Sequence, residues 1–232
     1  MASWWHYSKH NTVMSAYIQK LILQGEHQKQ DFKFQVNDSR KIARTLSAFA
    51  NTDGGKLLIG VKDNGVVAGV RSDEEFYMIE AAAQMYCKPE VDFAHRAWNV
   101  DGKTVLEIDI PAMDHKPCFA ENEQGKWMAY IRVDDQNILA NTVQLKYWKR
   151  QNREAGTFIR YSEKEKILLE FLNEHPFITL GKFCRMAGIP KYLAENIIVN
   201  LLVTGIIEMG QNEKSSWFRL KDPGEQNGWN GE

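Results

Sequence analysis

The hydrophobic period changes several times along this chain, and each change marks an element. In residues 12–24 two rows at i, i+4 spacing, Val13-Tyr17-Leu21 and Met14-Ile18-Ile22, predict an amphipathic helix that Gly25 ends. Residues 31–36 alternate instead, which predicts a strand with Phe32, Phe34 and Val36 on one face. Helical spacing returns in 40–51, with Ile42, Ala43, Leu46, Phe49 and Ala50 as the buried stripe and Asp38 or Ser39 as the cap. The run KLLIGVK at 56–62 is apolar at both parities, as expected of a central strand covered on both sides. Asp63-Asn64-Gly65 predicts a tight turn, because Asn-Gly readily takes positive φ, and residues 66–70 read as the returning partner strand. A helix at 73–87 follows. Strands are then expected at 93–100 and 103–110 around Asp101-Gly102, and at 117–120 and 126–133, before a helix at 141–153.

Composition shifts around 150–157, and a different pattern follows. Residues 162–174 read as a helix opened by Ser162 and Glu165 in capping-box spacing. A second helix at 179–187 stops at Gly188, and a third at 190–204 stops at Gly205. Short strands at 206–209 and 216–220 close the pattern. Three helices and a β-wing predict a winged helix. The expected fold class is α+β: a mixed β-sheet with flanking helices in residues 1–155, then a C-terminal winged helix in 156–221. The Gly- and Asn-rich segment 222–232 is expected to be disordered.

Composition narrows the function classes. At 232 residues and 44% hydrophobic content a packed core is expected. No run of about 18 apolar residues suggests a membrane span, and the Met1-to-His6 start lacks a basic region followed by an apolar run. A cytoplasmic protein with no membrane partner is expected. Cys87, Cys118 and Cys184 form no CxxC pair and read as reduced thiols. Charge is balanced, with 29 Lys+Arg against 30 Asp+Glu. A nucleic-acid surface must therefore come from local clustering, since released counterions drive phosphate binding. Two clusters qualify. One is Arg40, Lys41 and Arg44. The other is Lys146, Lys149, Arg150 and Arg153, interleaved with Tyr147 and Trp148, which could stack on bases. In the third helix of the winged helix, Lys191, Asn196 and Asn200 could face a groove, the asparagines pairing with adenine edges. Its many apolar positions and Glu195 suit protein docking equally. Trp4, Trp5 and Tyr7 could cap the core or pack on a second copy in a homodimer.

Three segments resemble the Schlafen AlbA-like family, whose domain is described as DNA-binding. They are Glu26 to Lys33 (EHQKQDFK); Ile42 to Gly69, with Ala48-Phe49-Ala50-Asn51-Thr52-Asp53-Gly54-Gly55 running into Leu58-Ile59-Gly60-Val61 and Val67-Ala68-Gly69; and Lys116-Pro117 with Ala129-Tyr130-Ile131-Arg132-Val133. The resemblance spans roughly residues 12–150. It implies a mixed α/β fold around a sheet, and a bacterial-type, transcriptional-regulator-like protein binding DNA or RNA without catalysis and without a cofactor. It also implies an alternative. Schlafen-type ribonucleases hold a divalent metal with three acids; Glu26 and Asp31 match the first two positions by spacing, Asp31 standing where Glu is more usual, and Asp63 after the central strand is the candidate third. Clustered carboxylates suit Mg or Mn, and Lys33 could neutralise phosphate charge. An ion pair between Asp31 and Lys33 is the plainer reading of the same residues. Gly54-Gly55-Lys56 lacks the spacing and the Ser/Thr of a nucleotide-binding P-loop. A protein-interaction adaptor, suggested by the neutral charge and the apolar third helix, is the second alternative.

Overall fold

The computed structural model describes residues 13–152 and 161–222. Two compact units divide the chain, Met1–Ala140 and Asn141–Glu232. The division falls before the expected 155/156 boundary, because the helix at 142–151 packs with the segment that follows it. Trp4, Trp5, Tyr7, Arg153 and most of the 222–232 tail lie outside the described residues.

The first unit runs α1 (Val13–Gln24), β1 (Gln30–Lys33), α2 (Ser39–Ala50), β2 (Gly55–Ile59), α3 (Glu74–Met85), β3 (Cys87–Lys88), β4 (Ala94–Val100), β5 (Lys103–Ile110), β6 (Phe119–Glu121), β7 (Trp127–Val133) and β8 (Gln136–Leu139). One sheet is ordered β1-β2-β5-β4. It is mixed: β1 lies parallel to β2, with Asp31 opposite Leu57, while β5 is antiparallel to both its neighbours. The apolar run at 56–62 finds its explanation here. In β2, Leu57 and Ile59 enter the core under α2 and α3, and Leu58 enters a second core with Ile18 of α1, Phe32 and Trp98. The sheet is thus covered on both faces, as a strand apolar at both parities requires.

The second sheet, β3-β6-β7-β8, is antiparallel and lies against α2. Its two edge strands, β3 and β8, are too short and polar for periodicity to reveal. The other difference from the sequence reading is at 66–70. The 63–65 turn forms, but only a single bridge, Val61 to Val67, follows it. Gly60 turns the chain at φ 89°, and its carbonyl accepts from the N–H groups of both Ala68 and Gly69. The edge of β2 that a returning strand would need is already taken by β5.

In the second unit come α4 (Thr142–Gln151), α5 (Glu163–Glu174), α6 (Leu180–Ala187), α7 (Lys191–Val203), β9 (Ile207–Gln211) and β10 (Ser216–Leu220). Ser162 and Glu165 make the capping box, and Gly188 ends α6 in the left-handed region. Antiparallel β9 and β10 form a hairpin whose Phe218 is fully buried and bonds Ile178 through both backbone groups. Leu168, Phe183, Ile198 and Phe218 centre this unit's own core, which Val143 of α4 joins. No helix among the described residues is long and apolar enough to cross a membrane.

Candidate nucleic-acid interface

Asp38 caps α2 by accepting from the Arg40 N–H. The buried stripe from Ile42 to Ala50 then fixes which way the remaining positions face. Arg40 and Arg44, one turn apart, and Lys41 beside them are left to solvent, and Lys33 reaches the same place from the end of β1. These four cations line one open cleft of about 420 Å³. Glu121, the 122–124 turn, Tyr130 and Asn137 complete it. Both arginines lie on aromatic rings. The Arg40 guanidinium is 4.6 Å from the Tyr86 ring centre, and that of Arg44 is 5.1 Å from Tyr130. Arg44 also donates to the Asn137 carbonyl, and Arg40 stands 3.8 Å from Glu121. Lys41 is exposed and has no ion pair among the described residues.

The acids behave differently. Asp31 is buried, with Lys33 Nζ at 2.6 Å and the Arg132 guanidinium at 3.3 Å. Glu26 accepts from the Phe32 N–H at 2.9 Å. Burial pushes its carboxyl above the usual range, and the neighbouring Asp31 adds to the rise against the opposing pull of the Phe32 N–H and Lys33. Asp63 sits in the exposed 63–65 turn. Among the described residues, no group of three or more His, Cys, Asp or Glu side chains is arranged to hold a metal ion. The triad that the ribonuclease alternative needs is not assembled: Asp31 is already the counter-ion of two cations. Lys33 is engaged likewise, donating also to the Phe32 carbonyl.

Arg132 was not among the candidate residues. It is 1% exposed. Its guanidinium donates to the carbonyls of His27 and Gln30 and to Asn137 Oδ1, and lies 5.2 Å from the Phe49 ring centre. Burial, and after it the Arg132 charge, lower the His27 imidazole. The only signal in the sequence was a lone arginine within the apolar run AYIRV. Apart from Asn137, its hydrogen-bond partners His27 and Gln30 lie about a hundred residues earlier in the chain, beyond the reach of periodicity. Asn51 was quoted only as part of a motif. It is buried and bonds both the N–H and the carbonyl of Cys118 and the carbonyl of Tyr130, which locks α2 to the second sheet.

The family model for Schlafen, AlbA_2 matches residues 26–141, half of the chain. The chain belongs to the Schlafen AlbA_2 family. The matched segment holds the cleft, Glu26, Asp31 and Arg132. Among solved structures, the DIP2311 protein of Corynebacterium diphtheriae is similar at 20% identity and a TM-score of 0.42, over 62% of this chain and 29% of that one. The N-terminal domain of a RecG-related protein of Nitrosomonas europaea is similar at 19% identity and a TM-score of 0.36, over 55% of this chain and 95% of that domain. The chain therefore spans under a third of the first of these. No curated protein matches it.

Outside the Schlafen AlbA_2 segment, the second cationic cluster has other partners. Lys146 pairs with the buried Glu195 at 2.7 Å, and Arg150 bonds Asn200 Oδ1 and the Asn196 carbonyl. These contacts hold α4 along α7. Trp148 is buried and Tyr147 partly so, which takes Trp148 away from base stacking. Lys149 remains exposed, and Lys191 is exposed with Glu195 at 3.8 Å.

Proposed function

We propose that the chain is a non-catalytic nucleic-acid-binding protein of regulatory type, gripping phosphate through its Schlafen AlbA_2 domain. One observation carries the reading: Lys33, Arg40, Lys41 and Arg44, scattered in a chain of balanced charge, converge on one open cleft. Local cation density of this kind is what counterion release requires. On this reading the protein works in the cytoplasm, and the three helices and hairpin of the second unit act as a winged helix.

The test is a titration of the full chain with labelled DNA and RNA across a salt series. With three or four phosphate contacts, log K should fall against log salt with a slope of about −2 to −3 for a single strand and about −3 to −4 for duplex DNA. Lys41→Glu should weaken binding to every sequence and flatten the slope by about 1. An affinity indifferent to salt would reject the proposal.

For the second unit one observation favours the adaptor reading over groove recognition. Asn200 and the Asn196 backbone are engaged by Arg150, and the α7 face that carries Glu195 is taken by Lys146. Tyr192 and Leu193, at the start of α7, remain exposed. A winged helix of this build meets a partner protein rather than reading base edges. Replacing both Tyr192 and Leu193 by Ser should then leave nucleic-acid affinity unchanged.

A further inference from the structure

We infer that the cleft takes single-stranded rather than duplex nucleic acid, with Arg40 and Arg44 serving as planar platforms for successive nucleotides. This rests on the phosphate-binding reading above and names the class of strand. Each guanidinium lies over an aromatic ring, Tyr86 or Tyr130, and both arginines also line the open cleft, where a ligand can reach them. Tyr130 is 8% exposed and cannot itself receive a base; it acts as a pedestal. Asn137 holds Arg44 from the side. A guanidinium fixed in this way can do two things at once. Its free face stacks on a nucleobase, and its remaining N–H groups donate to phosphate. The two arginines are four residues apart on α2, about 6 Å along the helix axis. That spacing suits neighbouring nucleotides of an extended strand.

Duplex fits poorly for two reasons. Its base faces are hidden within the stack, so Arg40 and Arg44 would have nothing to receive. The cleft, at about 420 Å³, also falls within the range of small-molecule sites, about 300–1,000 Å³, and admits one or two nucleotides rather than the breadth of a double helix. Glu121 and Glu123 line the same cleft and oppose a second phosphate backbone.

The full chain is titrated with a labelled single strand of about 12 nucleotides, its duplex, an abasic strand of equal charge, and a free nucleoside triphosphate as competitor. Arg44→Lys is compared throughout, since lysine keeps the charge but loses the plane and the fork. The single strand should bind about tenfold tighter than the duplex and than the abasic strand. Arg44→Lys should remove most of that preference and leave the salt slope unchanged. If Arg44→Lys fails to fold, judged by its circular dichroism, Arg40→Lys carries the same comparison. Equal affinity for single strand and duplex, or for normal and abasic strands, overturns the inference while phosphate binding stands. So does a preference that survives Arg44→Lys, or a triphosphate that displaces the strand at equal phosphate concentration. Failure to bind any strand overturns this inference and the proposed function together.

Discussion

Single side chains decide more of this structure than their exposure suggests. Arg132 is one of two cations on the buried Asp31 and also serves the His27 and Gln30 carbonyls, so its loss weakens a buried pair and strands buried acceptors. Arg132→Leu is therefore expected to cost about 3–5 kcal/mol in urea unfolding. Changing Asp31→Asn alongside it should cost less than the sum of the two single changes, because both remove the same Asp31–Arg132 pair. Glu26 behaves in the opposite sense. Its carboxyl is raised chiefly by burial, so its ionised form is disfavoured in the folded state. Its contribution to stability is full below the ordinary glutamate range and is lost as pH rises through the raised value. Glu26→Gln keeps an acceptor for the Phe32 N–H. It should raise the melting temperature at neutral pH, with the gain vanishing in acid; an equal gain at both pH values would contradict the burial argument. The role of Arg132 and the burial of Glu26 were not visible from residue types. The Asp31–Lys33 ion pair and the turn at Asp63 were the plainer sequence reading and both are present, whereas Arg132, the second cation on Asp31, comes from a distant strand.

At the scale of elements, legibility followed strength of period. Helix α2 was readable because its buried stripe, its Asp38 cap and its cationic outer face all agree. Strand β2 was readable because only a doubly covered strand needs leucine and isoleucine at both parities. The segment after Asn64-Gly65 misled, since a turn motif specifies a turn and not what pairs beyond it; β5, arriving some forty residues later, holds the edge. The short strands β3 and β8 had no period to read. Helix α2 also depends on its last turn. Asn51 closes buried hydrogen bonds to the N–H and carbonyl of Cys118 and to the carbonyl of Tyr130. Asn51→Ala should cost about 2–3 kcal/mol, the penalty for stranding buried backbone partners. The cost should show in global unfolding rather than as local fraying. Cationic positions on α2 were legible as a face, but their union with Lys33 and with Tyr130 was not, because those residues come from other elements.

Taken whole, each unit has hydrophobic packing of its own, two clusters in the first and one in the second, and the helix between the two sequence patterns belongs to the later unit. Composition placed the boundary where residue types change. Packing places it at Ala140, because Val143 and the Lys146–Glu195 and Arg150–Asn200 contacts anchor α4 to α7. A fragment of residues 141–232 should unfold cooperatively in urea. A fragment of 156–232, without α4, should lose roughly 3 kcal/mol, since Val143 and Tyr147 no longer cover apolar surface on this unit. Equal stability of the two fragments would mean that α4 is an accessory to this core rather than part of it.

The placement of Arg132 has a consequence for recognition. The first sheet supplies Lys33 to the cleft and the second supplies Tyr130 and Asn137. Arg132 fastens the first sheet's Asp31 and Gln30 to the second sheet's Asn137 from behind. On the proposed reading, the gap offered to a strand is thus gauged by a rivet that does not line the cleft. Loosening that rivet would blur which strands are accepted before the molecule as a whole came apart.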